Sequence, residues 1–471
     1  MLKNFICDSK LMKEKTQKIA RRNILNRSLH LFVFCLLCLG GLFFIENYIE
    51  KSQPQASEEN SQNVEAKFKE YINSAYQAED AGNLSEALRL HQHALKYSEH
   101  WFGNNDPFTV LSLCNIGRVT QSMGRYAKAE KWLLRAYSIN EKYRIEGLYI
   151  PFNDLFRLAE LYKDTGNYAK SEDFFKRALN IIEKKSVKKA SSQVLDEVLN
   201  SYGLLKNEVG DYKQAIELHE RALIIGKMAY GLEHPYIAIM LTNLANDYID
   251  FGDYTKAEDL LQKAKVIKEK NYGPEHKEHV SVYSALCRVS LAQNKLIQAE
   301  LPCQQALNIS KNTYGDESKK YALALIDMGM LHHERNDQQS AISFLRQSIG
   351  ILEKSFSSES RFVGVALSGL GQAYMKLGDY LEAEQILKRN LNIAKNLYSP
   401  VHPDRALALY NLGALYYLMG QYDRSEELLM SALSILDENP ETALPRRAAI
   451  LRYLELIYQN EESKKIKEDV S

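Results

Sequence analysis

Cysteine and histidine are the residues of this sequence whose positions could support redox or metal chemistry. Cys287 and Cys303 lie on two consecutive predicted helices, so their side chains should roughly face each other. Two interpretations are open: they are small residues that fill the core, or they form a disulfide, which an oxidising compartment would allow. Cys35 and Cys38 lie within an apolar run, where cysteine is an ordinary apolar residue.

The histidines do not form a recognisable set of metal ligands. The sequence has no H-E-x-x-H motif, and the adjacent pair His332 and His333 points in different directions on a helix. It also has no phosphate-binding loop of the form G-x-x-x-x-G-K-[ST], and no Ser, His and Asp constellation stands out. We therefore expect no enzymatic activity, no metal, no cofactor and no small-molecule substrate.

The elements that must position these residues recur with a period of 42 residues, with one interval of 44. A glycine or an asparagine returns at the turn between two predicted helices, because such a turn needs a residue that tolerates positive φ. The turn positions are Gly82, Gly124, Gly166, Gly210, Gly252, Asn294, Asn336, Gly378 and Gly420. A fixed period in this range predicts a solenoid, and a solenoid is typical of a binding surface rather than a catalytic pocket.

Small and aromatic residues recur at fixed distances from each turn. A small residue follows the turn by five positions, as at Ala87 and Ala257, and a tyrosine often follows it by two, as at Tyr126. Apolar residues at helical spacing give each helix one buried stripe. No single helix pair can bury its stripe alone, so we expect the stacking of pairs to supply the core.

A Tyr-Gly-x-x-His-Pro segment separates several of the repeats. It is complete at residues 230–235 and altered at residues 272–276 and 398–403. These residues resemble the tetratricopeptide repeat, in the long-period form found in kinesin light chains and many bacterial proteins. The resemblance implies an all-α, right-handed superhelical solenoid of antiparallel helix pairs. Kinesin light chains place a heptad coiled coil ahead of the repeats, and this chain does not, so the motor-subunit function is not carried over.

The sequence also predicts how the chain is divided. Nine repeats are expected in residues 66–443, a capping helix in residues 444–460 and a polar tail in residues 461–471.

In peptide-binding members of that family, an asparagine on the first helix of a repeat reaches the backbone of the bound peptide. Its amide can both donate and accept a hydrogen bond. The resemblance assigns Asn115, Asn243 and Asn411 to this position. Further polar residues one turn along the same face are Arg118, Asn246, Arg288 and Gln372. We predict that these seven residues bind a protein or peptide in the concave groove; the alternative is that they are only its solvated wall. Other residue types interrupt the asparagine position at Arg157, Ala285, Asp327 and Gly369.

The N-terminus has the features of a membrane anchor. Residues 1–28 carry eight basic and two acidic side chains, a net charge of +6, and residues 29–45 are apolar apart from His30. This run is at the short end for a transmembrane helix. The positive-inside rule leaves residues 1–28 in the cytoplasm and sends the repeats across the membrane. A cleaved signal peptide and a buried core helix are the alternatives. Residues 46–65 are polar and predict a flexible linker.

These observations favour a single-pass membrane protein whose repeats form a protein-interaction scaffold on the extracytoplasmic side. The alternative is an accessory or regulatory subunit of a membrane or cell-envelope enzyme complex. The chain as a whole has no net charge, so the remainder beyond residue 28 carries −6. A mildly acidic body argues against nucleic acid as a partner.

Overall fold

The fold is described here from a computed structural model of the chain. The residues that it describes are 58–145, 153–183, 189–355, 360–437 and 444–470. The predicted segments 1–28 and 29–45 lie outside these residues. Among the described residues, no helix combines the length and the apolar character that crossing a bilayer requires.

The described residues form nineteen α-helices and one short 3-10 helix, and they contain no strand. Eighteen of the helices form nine consecutive pairs, and the nineteenth follows the last pair. In chain order they are α1 (Glu58–Asp80), α2 (Leu84–Trp101), α3 (Pro107–Ser122), α4 (Tyr126–Ile145), α5 (Asn153–Asp164), α6 (Tyr168–Glu183), α7 (Lys189–Glu208), α8 (Tyr212–Tyr230), α9 (Pro235–Phe251), α10 (Tyr254–Tyr272), α11 (Val280–Ala292), α12 (Leu296–Tyr314), α13 (Lys319–Glu334), α14 (Gln338–Ser355), α15 (Arg361–Leu377), α16 (Tyr380–Leu397), α17 (Pro403–Leu418), α18 (Tyr422–Asp437) and α19 (Leu444–Val470). The expected all-helical repeat fold is confirmed.

The chain divides into two compact units, Met1–Val198 and Leu199–Ser471, which we call the first and the second unit. Within each unit, the closest helix packing is between helices that are consecutive in sequence, as for α3 with α4 and for α13 with α14. The core of the first unit includes Phe68, Leu113 and Leu133, and the core of the second includes Leu345 and Leu387.

The turns within the pairs have the conformation that the sequence predicts. Every turn position in the 42-residue register has positive φ, including the two asparagines, Asn294 at 56° and Asn336 at 62°. At Gly252 the backbone is left-handed, with φ 99° and ψ 5°, and the next N–H donates back to the carbonyl of Tyr248. The side chain of Asp253 then accepts from the backbone N–H of Lys256 and caps the second helix.

Helical glycines let the two helices of a pair approach closely. A Cβ added to Gly371 would lie 2.4 Å from Leu387, and one added to Gly117 would lie 2.5 Å from Leu133. Both distances are far shorter than van der Waals contact, so any side chain at these glycines would push the pair apart. The small residues that recur seven positions before the turn are therefore explained by helix packing.

The ends of the helical region differ from the prediction. Helix α1 begins at Glu58, within the segment predicted as a flexible linker, residues 46–65. Helix α19 continues to Val470, beyond the predicted capping segment that ends at residue 460. The N-terminal extension begins with Glu58 and Glu59, and acidic residues at a helix N-terminus interact well with the helix dipole. The C-terminal extension is rich in Glu and Lys, which are favourable helix formers.

Candidate functional site

The first helix of each pair carries the predicted groove residues, nine and six positions before the turn, and we call this side the first-helix face. In the first unit, Asn115 lies on it in α3 and is only 5% exposed. Its Oδ1 accepts a hydrogen bond from the hydroxyl of Tyr76 at 3.2 Å, and its Nδ2 is buried without a partner. One amide donor at this position is therefore left unsatisfied.

Arg118, one turn along α3, is already held by another side chain. Its guanidinium donates to both carboxylate oxygens of Glu79, at 2.5 and 2.8 Å, and it lies over the ring of Tyr76. The same carboxylate is hydrogen-bonded to Nε2 of His91 at 3.0 Å. Burial alone would raise the pKa of Glu79, but the bonds from His91 and Arg118 outweigh it and lower the pKa to about 2. Arg118 is thus fixed in place by a bidentate ion pair.

In the second unit, the predicted residues pair with the neighbouring repeat. Nδ2 of Asn243 donates to Oδ1 of Asn200 at 3.0 Å, and Nη2 of Arg288 donates to Oδ1 of Asn246 at 2.7 Å. The partners are 43 and 42 positions apart, which is one repeat. These polar side chains therefore join first helices of successive repeats, and Arg288 is exposed while it does so.

Asn411 in α17 is 2% exposed, less than Asn115. Its Nδ2 donates to Oγ of Ser368 at 2.7 Å, and its Oδ1 accepts from Nε2 of Gln372 at 3.2 Å. Both partners lie on α15, the first helix of the preceding repeat. Asn411 and Gln372 are thus brought together as a bridge between repeats.

Two carboxylates on the same face were not among the predicted site residues. Asp327 stands nine positions before its turn, where Asn115 and Asn243 stand in their repeats, and it is 6% exposed. Burial raises its pKa to about 6, although Arg288 and a hydrogen bond from Ser284 act in the opposite direction. Asp250, which is exposed at the end of α9, also lies close enough to Arg288 to feel its charge. The shared register of Asp327 was the signal in the sequence that could have identified it.

The structure joins Cys287 and Cys303 in a disulfide between the two helices of one pair. Both residues are fully buried, and their Cα atoms are 5.0 Å apart. Among the described residues, no group of three His, Cys, Asp or Glu side chains could hold a metal ion.

A shallow cleft of about 350 Å³ lies on another part of the second unit. Its floor is apolar, from Ile349, Leu367 and Leu370, and Arg346 and Arg389 stand at its rim. Arg389 is paired with Glu353, and Arg346 donates to the hydroxyl of Tyr374.

The chain was compared with protein families and with known proteins. The family model described as tetratricopeptide repeat matches residues 71–142, 195–270, 236–308, 278–354 and 362–438. A second model of the same description matches residues 155–185. The search among curated proteins finds no match.

Solved structures share the helical repeat at low identity. BtubC from P. vanneervenii is 20% identical with a TM-score of 0.36, over 50% of this chain and 92% of that one. A putative kinesin light chain from Podospora anserina with nearly identical TPR-like repeats is 24% identical with a TM-score of 0.35, over 44% and 98%. A Rap protein complexed with Competence and Sporulation Factor is 13% identical with a TM-score of 0.49, over 74% and 98%. The family models together match well over half of the sequence, and the chain belongs to the tetratricopeptide repeat family.

Proposed function

We propose that this chain is a protein-interaction scaffold that binds a segment of a partner protein on its first-helix face. The observation that carries the proposal is the unpartnered Nδ2 of Asn115, at the position that the family resemblance assigns to peptide contact. An unsatisfied buried donor costs about 1–3 kcal/mol, so a backbone carbonyl of a partner would be a favourable acceptor. Because Nδ2 is buried, the side chain of Asn115 has to rotate before Nδ2 can donate to that carbonyl.

Three of the other predicted groove residues support this function in a different way. Asn243, Asn246 and Arg288 lie at the surface of the second unit and carry both donors and acceptors. Asp250 and Asp327 place negative charge beside Arg288, so this part of the face offers both signs of charge. Such a surface suits an extended polar segment better than an apolar ligand.

The proposal is tested by photo-crosslinking in cells that make the full chain. A benzophenone amino acid is introduced on the first-helix face at Arg288 or at Val365, which is 51% exposed and seven positions before Gln372. Matched controls carry it on the second helix α8 at Ile224 or Met228, which are 59% and 72% exposed. A partner adduct should form from the first pair of positions. Adducts that form only from α8 would show that the partner binds elsewhere.

We also propose that residues 29–45 anchor the chain in a membrane and that the repeats lie outside the cytoplasm. The support is the charge of +6 before the apolar run and the acidic residues Glu46 and Glu50 after it. A reporter that is active only in the cytoplasm should be silent when fused after Ser471. Reporter activity would reverse this orientation. If the captured partner is a membrane or cell-envelope enzyme, the chain acts as its accessory subunit.

A further inference from the structure

Two segments of the second unit that are far apart in sequence are in contact. Nε2 of His402 donates to the backbone carbonyl of Glu208 at 2.8 Å, across 194 positions of sequence. Nδ1 of the same ring accepts from the backbone N–H of Asp404 at 3.0 Å. Both ring nitrogens are therefore engaged, which fixes the ring orientation and its neutral tautomer. His402 is 4% exposed, so this is a buried contact.

Gly210 allows the two segments to meet. A Cβ added there would lie 2.4 Å from Cδ of Pro403, too close for any side chain. The glycine also has φ +83°, as its turn requires. Gly252 and Gly378 occupy equivalent turns with positive φ, yet a Cβ added to either would have no heavy atom within 4 Å. A glycine is thus required at residue 210 both for its positive φ and for the close approach of Pro403, whereas the other two glycines are required only for positive φ.

Charged side chains also lie around the contact. Nη1 of Arg361 lies 3.4 Å from Oε1 of Glu208, and these side chains are 46% and 30% exposed. Burial opposes the charge of Arg361, but Glu208, Asp404 and Asp250 outweigh it and raise the pKa of the guanidinium. An exposed ion pair contributes little to stability, so the buried hydrogen bond between His402 and Glu208 is the stronger of these two contacts.

Stacked repeats normally touch only their neighbours, and their stability comes from those interfaces. The contact between α7–α8 and α15–α17 does not join neighbouring repeats, because several repeats separate its two sides. It can therefore break while every pair keeps its own core. Small rotations between successive repeats then add up to a large displacement at the two segments.

We propose that this contact is a latch that closes the second unit on itself, and that its opening admits the partner segment to the first-helix face of that same unit. The latch consists of Glu208 and Gly210 on one side and Arg361, His402 and Pro403 on the other. Its existence does not depend on a partner, whereas its role in partner entry rests on the proposed function.

The latch is tested first by a distance measurement on the full chain without a partner. Spin labels on unnatural amino acids are placed at Glu217 in α8 and Asn396 in α16, both exposed. Wild type should give one narrow distance distribution. Gly210→Ala should shift it to longer and broader distances, because the added Cβ displaces Pro403. Gly378→Ala is the matched control, since its φ of +79° imposes a similar backbone strain with no contact.

Arg361→Gln is a milder second variant that leaves the turn intact, and it should broaden the distribution to a smaller extent. A distribution for Gly210→Ala that matches wild type would overturn the latch. Equal broadening in Gly378→Ala would assign the effect to turn strain and would overturn it as well.

The role in partner entry has a separate measurement. The benzophenone adduct at Val365 should form several-fold faster in Gly210→Ala than in Gly378→Ala. An unchanged rate beside a changed distance would refute the role in entry and leave the latch as a structural contact. If no variant gives an adduct, the proposed function fails, while the distance measurement still decides whether the latch exists.

Discussion

Cys287 and Cys303 occupy the position at which a glycine on the first helix packs against a leucine on the second in other repeats. The two cysteines are 16 positions apart, and so are Gly117 and Leu133. Gly329–Leu345, Gly371–Leu387 and Gly413–Leu429 have the same spacing and the same close contact. The disulfide therefore replaces an apolar contact at the tightest point of one helix pair.

This relationship predicts how the disulfide affects stability. Closing a loop of this length stabilises a protein by about 3 kcal/mol, so reduction should lower the melting temperature of the wild type. The double variant Cys287→Gly and Cys303→Leu restores the packing of the other repeats. Its melting temperature should not respond to reductant. Peptide mapping of the purified protein under non-reducing conditions should find the two cysteines linked, and two free thiols would leave only the core-filling interpretation.

Replacement of Gly252 tests the turn register. With φ at 99°, an alanine there is strained and should cost about 1–3 kcal/mol, and the loss should spread to adjacent repeats. Gly350→Ala is the control, because that glycine lies exposed within α14, where alanine is preferred by about 1 kcal/mol. The two substitutions should move the melting temperature in opposite directions. Similar curves would show that the turn does not need positive φ.

Asp327 predicts a pH dependence of stability. Its pKa is about 6 in the folded chain against 3.8 for an ordinary aspartate, because burial disfavours the charged form. The folded state thus binds this proton more tightly than the unfolded state does. The stabilisation that results from the bound proton is complete below pH 4 and is lost as the pH rises through 6. Asp327→Asn should be more stable than wild type at pH 8, by up to about 3 kcal/mol, and equal to it at pH 4.

Thermal unfolding at the two pH values measures this difference. Asp316, which is exposed in a turn outside the helices, provides the control, since its change to Asn should alter stability by less than about 0.5 kcal/mol at either pH. A gain for Asp327→Asn that is the same at both pH values would contradict the assigned cause.

Asn411→Ala should destabilise the second unit. The change removes the bonds to Ser368 and Gln372, and Ser368 is buried, so the cost should be about 1–3 kcal/mol. Asn392→Ala, at an exposed site on α16, is the matched control and should melt as wild type does. A normal melting curve for Asn411→Ala would show that the bridge contributes nothing. Partner capture by this variant is therefore informative only at temperatures where it remains folded.

The sequence predicted the repeated features of this molecule better than the unique ones. The positive φ of Asn294 and Asn336 follows from the 42-residue period alone, since each stands where the other repeats have glycine. The contact between Glu208 and His402 does not follow from it. That contact depends on small rotations accumulated over several repeats, and no periodic pattern encodes their sum. The sequence also did not predict that Asn411 bonds to Ser368 and Gln372, because the burial of Asn411 depends on the distance and angle between α15 and α17.

The hydrogen bonds between first helices make the repeats unequal. Turns and cores are nearly interchangeable along the array, but Asn243 needs Asn200 one repeat earlier, and Arg288 needs Asn246. Deletion of the repeat that carries Asn243 and Asn246 would keep every glycine in register and would still remove the partners of Asn200 and Arg288. Matched polar neighbours thus make this part of the array sensitive to the loss of a repeat that the turns and the core would tolerate.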